Sequence, residues 1–170
     1  MNVGESKVAG PRLREPENPV DRRSVRMWRL QATGIALIGL VLAIVVPARA
    51  GLATGLVIAL IAAVAICALA YAAIMPLWRY RVHRWEATEE AVYTRSGWFV
   101  QEWRVAPMSR IQTVDTVRGP LHQWLGISTV TVTTASAVGA IEIEALDRDL
   151  AERLVERLTA TAEAARGDAT

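Results

Sequence analysis

Between residues 30 and 78 the chain carries one charged residue, Arg49, which divides an otherwise apolar stretch into two runs, 30–47 and 52–77. A bilayer core about 30 Å thick needs roughly 20 apolar residues at 1.5 Å per residue. The second run exceeds that length and the first is close to it. Apolar side chains surround both runs, so neither has the polar face of a helix lying on a soluble core. The rest of the 170-residue chain holds too little apolar sequence to wrap two such helices. A two-helix transmembrane hairpin over residues 28–80 is therefore expected.

Arginines flank this hairpin unevenly. Arg22, Arg23, Arg26 and Arg29 precede it and Arg79, Arg81 and Arg84 follow it, while Arg49 alone marks the loop. By the positive-inside rule both termini are cytoplasmic, which makes the chain a multi-pass protein of the cell (inner or plasma) membrane. Trp28, Arg29, Trp78, Arg79, Tyr80 and Arg81 would then mark one membrane interface, with the bilayer as first partner. The formal net charge is only +2, and from Arg79 onward 11 arginines face 13 carboxylates, so nucleic acid is excluded as a partner. Ala48-Arg49-Ala50 imitates the end of a secretory leader, but the apolar run is too long for a leader core and a second span follows at once. The single cysteine, Cys67, lies in the second run, leaving no disulfide framework and no cysteine-based metal site.

Residues 1–27 contain Pro11, Pro16 and Pro19 without apolar periodicity and read as a disordered cytoplasmic arm. Gly34, Gly39, Gly51, Gly55 and many alanines allow close helix approach in the hairpin; Gly51-x-x-x-Gly55 is a weak signal for self-association. After residue 80 the pattern becomes strand-like, with strands expected at 81–87, 91–96, 98–106, 109–118, 127–134 and 141–144 and a helical turn at 121–126. Leu150, Leu154, Val155 and Leu158 then form the stripe of an amphipathic helix with Asp147 as N-cap and Asp149–Arg153 as an i, i+4 pair. An α+β domain over 81–161, an antiparallel barrel or sandwich closed by its C-terminal helix, follows from this order, with residues 162–170 a disordered tail.

Several of these residues form an ordered set: Tyr93-Thr94-Arg95-Ser96-Gly97, then Pro107-Met108-Ser109-Arg110-Ile111-Gln112, then Pro120-Leu121-x-x-Trp124-Leu125-Gly126-Ile127, then Val130-Thr131-Val132-Thr133-Thr134, and last the amphipathic helix. The set resembles the bacterial pleckstrin-homology-like (PH-like) domain of YdbS-type membrane proteins, whose members also carry a preceding two-helix hairpin. The resemblance covers about residues 84–158. It implies a PH-like barrel with a C-terminal helix, supplies no catalytic residues to carry over, and points to a larger membrane protein with related domains as partner.

Chemistry is sparse. His83 among arginines and His122 in a polar turn read as surface residues. Glu142 and Glu144 share an exposed strand face, and no phosphate loop or metal-ligand spacing is present, so no catalytic centre, metal or cofactor is expected. The candidates for an interaction surface are Arg104, Arg110, Gln112, Arg118 and Trp124. The arginines either pair with Glu102 and Asp115 or form a headgroup or carboxylate site. Gln112 is read first as a backbone brace, and Trp98, Trp103 and Trp124 as packing with room for one exposed anchor. The expected function is a non-enzymatic membrane-anchored adaptor or scaffold that binds another, membrane-resident protein. The alternative is a sensor of anionic lipid headgroups, and a small transporter or channel component comes last, since the spans hold no charge to mark a pathway.

Overall fold

The computed structural model describes residues 15–135 and 139–167; residues 1–14 of the expected arm and 168–170 of the expected tail lie outside the described residues. Helices α1 (Arg23–Arg49) and α2 (Thr54–Val82) form the hairpin. At 1.5 Å per residue their 27 and 29 residues are about 40 and 43 Å long, so both outrun the apolar runs and carry flanking arginines on helical backbone. Close approach falls where small residues permit it: a Cβ on Gly39 would lie 3.7 Å from Val64 of the opposite helix.

Strands β1 (Asn18–Pro19), β2 (Arg84–Ala87), β3 (Ala91–Gly97) and β4 (Gln101–Pro107) make one antiparallel sheet in sequence order. A 3₁₀ turn, Met108–Arg110, leads to the second antiparallel sheet of β5 (Ile111–Val117), β6 (Ile127–Thr134) and β7 (Ile141–Asp147), with α3 (Pro120–Leu125) between its first two strands. Val92, Ala106, Val130, Val132, Ile143 and Leu146 fill the space between the sheets, and α4 (Arg148–Gly167) covers it with Leu154, Leu158 and Ala162. Asp147 caps α4 as expected, accepting the N–H groups of Asp149 and Leu150 at 3.1 and 3.4 Å. The helix's i, i+4 pair is Arg148–Glu152 at 3.2 Å.

Three expectations need correction. The expected antiparallel sheets with a C-terminal helix are present, but they remain two separate sheets and do not close into the barrel that the resemblance implies. Where β4 approaches β7 the space is a polar groove lined by Glu102, Arg104, Glu142 and Glu144, bridged by a side chain, Arg104 Nη1 donating to the carbonyl of Ala140 at 3.0 Å, rather than by a strand ladder. The arm is ordered from residue 15 on: Asn18 and Pro19 pair with Trp85 and Arg84, and Val20, Met27 and Trp28 enter the core. Pro19 is tolerated because β1 is an edge strand. The tail is helical to Gly167, with Ala162 buried. Alanines give too little contrast along residues 159–165 for periodicity to reveal their packed face.

Candidate functional site

The hairpin meets the β-domain at two polar junctions. At the first, the Arg79 guanidinium donates from Nη2 to Glu144 Oε2 and Oε1 at 2.8 and 3.1 Å and lies 4.6 Å above the Trp28 ring. His83, at the end of α2, is buried with its ring 5.2 Å from that of Trp28. Its Nδ1 lies 2.8 Å from the Arg79 carbonyl, and its Nε2 faces Arg79 Nε at 3.4 Å and Glu144 Oε2 at 3.7 Å. A neutral ring protonated on Nδ1 satisfies the first two contacts, since Nδ1 then donates and Nε2 accepts. Burial pushes the imidazole below its ordinary pKa; Glu144 opposes that shift and Arg79 adds to it.

At the second junction Arg23, in the first turn of α1, donates to Asp21, to Asp147 of β7, and to the carbonyls of Leu125 and Gly126 at 3.1 and 3.2 Å. Its hydrogen bond holds the Asp147 carboxyl below the usual carboxylate range. Gly126 makes this possible: its φ of +65° ends α3 in the left-handed region, and a Cβ there would lie 2.9 Å from Arg23 Nη1. The Asp21 N–H, donating to Ala145 at 2.9 Å, adds a backbone tie.

Beside the second junction an open recess of about 590 Å³ lies between α1 and α3, lined by Arg23, Arg26, Arg29, Leu30, Trp124 and Leu125. Arg26 and Arg29 are exposed, and among the described residues no carboxylate lines the recess. Trp124 is 73% exposed. Guanidinium groups beside an amphipathic ring suit a phosphate or carboxylate at a membrane surface.

The other predicted residues are dispersed. Arg104 is held by Glu102 at 2.8 Å in the groove between the sheets, and Arg118 by Glu152 on α4 at 2.8 Å. Arg110 is exposed in the 3₁₀ turn. Gln112 sits at a register shift in β5, which turns its side chain to solvent instead of bracing the backbone. Of the five, only Trp124 joins the recess. Among the interface residues, Trp28 is 1% exposed and therefore packs inside the junction rather than meeting headgroups. His83 and Glu144, read as surface residues, prove to be its buried and half-buried partners. Arg29 and Arg81 are exposed, Tyr80 packs against the core, and Trp78 Nε1 donates to the Trp98 carbonyl at 2.8 Å. The Arg23 clamp was not foreseen, because arginines before a span carry the same positive-inside signature whether free or paired.

A family model described as Bacterial PH domain matches residues 31–162, taking in the hairpin and the β-domain together. The chain is 30% identical over 154 residues, 85% of its own length and 92% of the relative's, to UPF0699 transmembrane protein YdbS of Bacillus subtilis (strain 168). No solved structure matches the chain.

Proposed function

The chain belongs to the bacterial PH domain family, and from that premise we propose that it is a non-enzymatic membrane scaffold: the hairpin sets position, and the clamped β-domain binds another membrane protein. The observation that carries this reading is the pair of junctions. Arg79–Glu144 and Arg23–Asp147 tie both helices to β7, so the domain is held in one attitude to the hairpin rather than tethered by a linker. A domain so held meets a membrane-confined partner with little orientational search, which favours even a weak contact through raised effective concentration. The outer edge of β5, with Thr113, Asp115 and Val117 exposed, is a surface suited to strand addition or side-chain docking.

Seven arginines at the hairpin's open end against Arg49 at its loop favour a cytoplasmic domain in the cell membrane. Purification of the tagged full chain in mild detergent after in-cell cross-linking tests the scaffold reading. One stoichiometric membrane partner supports it; recovery of the chain alone overturns it.

The recess favours a second reading, capture of an anionic lipid headgroup by Arg26 and Arg29 against Trp124. Native mass spectrometry of the full chain reads this directly. Retained phosphatidylglycerol that is lost in Arg26→Gln/Arg29→Gln supports it, and equal retention by both proteins rejects it.

A further inference from the structure

The β3–β4 turn presents three consecutive large apolar side chains to the surroundings: Trp98 is 45%, Phe99 87% and Val100 68% exposed. No charge lies between Arg95 and Glu102. The turn is not a free tip pointing away from the hairpin. The Trp98 ring meets Tyr71 of α2 edge to face, with centroids 5.8 Å apart, and the Trp98 carbonyl accepts from Trp78 Nε1. The Trp98 and Phe99 rings lie 6.0 Å apart, so the apolar groups form one patch along the outside of α2.

The helix register gives the depth of that patch. Because Gly39 faces Val64 in an antiparallel pair, Arg29 lies level with about residue 74 of α2. Tyr71 is therefore about three residues, or about 4.5 Å, further into the apolar band than Arg29. No charged residue occurs from 54 to 78, and Tyr71 is flanked by alanines. The Trp98 ring thus reaches the depth at which α2 itself faces acyl chains. Gly97 keeps the turn tight: its φ is +103°, and a Cβ would fall 1.9 Å from the Val100 oxygen.

We infer that Trp98, Phe99 and Val100 are immersed in the leaflet adjoining the β-domain, forming a third, non-spanning membrane contact. The occupant is lipid because the patch continues the lipid-facing surface of α2 at the same depth, and a Trp carbonyl and ring divided between a polar donor and apolar neighbours suits the interfacial layer. With the two helices, the turn fixes rotation of the domain about the hairpin axis.

The test uses the full chain carrying Cys67→Ala, reconstituted in vesicles of phosphatidylethanolamine and phosphatidylglycerol. A nitrobenzoxadiazole label is placed on Phe99→Cys, on Val100→Cys or, as control, on Asp115→Cys at the β5 edge. Lipids spin-labelled near the top of the acyl chain should quench positions 99 and 100 several-fold more than 115, with emission shifted to shorter wavelength. Equal quenching at all three positions overturns the inference. So does efficient disulfide formation between two Phe99→Cys chains without lipid quenching, which would assign the patch to a second copy.

Discussion

Trp28 shows how far one side chain's role depends on partners distant in sequence. It lies in a run of arginines ahead of an apolar span, a setting that suggests an interfacial anchor, yet it is enclosed by Arg79 and His83. Trp28→Ala should cost about 3–5 kcal/mol, the range for removing a fully buried large aromatic, read as a lowered thermal unfolding midpoint in detergent. His83 makes the same junction sensitive to pH. Its folded pKa is depressed, so between that value and the unfolded value near 6.5 the unfolded chain takes up a proton that the folded chain does not. Stability is then full above about pH 6.5 and declines as pH falls, by at most about 1.4 kcal/mol per pH unit. Thermal unfolding from pH 7.5 to 5.5 should show this decline, and His83→Asn should flatten it. A decline unchanged in His83→Asn would assign the effect to other groups.

Elements were legible in proportion to how local their cause is. Residues 127–134 were expected as a strand because β-branched side chains dominate that segment, and β6 occupies that span. Asp147 was readable as a cap because a cap acts within three residues. By contrast, β1 is two residues long and owes its existence to pairing with β2, across more than sixty positions of intervening hairpin. Arg23 reaches Asp147 over 124 positions, and neither residue's neighbours signal the other. The end of α3 lies between these cases, since Gly126 announced a turn but not its second task of admitting a guanidinium. Gly126→Ala should cost about 1–2 kcal/mol from the left-handed backbone alone and more from displacing Arg23. A double-mutant cycle with Arg23→Gln separates the two contributions. The alanine should cost less in the Arg23→Gln background, whereas equal costs would mean that the side chains are uncoupled.

In the whole molecule, the two junctions tie the membrane hairpin to the β-domain, and the two are expected to move as one unit. Spin labels on Leu52→Cys at the hairpin loop and Asp115→Cys on the β-domain, with Cys67→Ala, measure that unity. Pulsed dipolar spectroscopy should give one narrow distance distribution. Arg23→Gln combined with Glu144→Gln should broaden it, and an unchanged width would show that apolar packing alone holds the domain. The joint has a consequence for how the protein responds to its surroundings. The uncharged stretch of α2, residues 54–78, is about 37 Å long and so exceeds an average hydrocarbon layer, and an over-long apolar span adjusts to a thinner bilayer by tilting. A domain on a flexible stalk would ignore that tilt. A domain bolted to both helices must lean with them, lowering one flank toward the lipid and lifting the other, so the thickness of the bilayer becomes a setting for which of its surfaces a neighbour can reach.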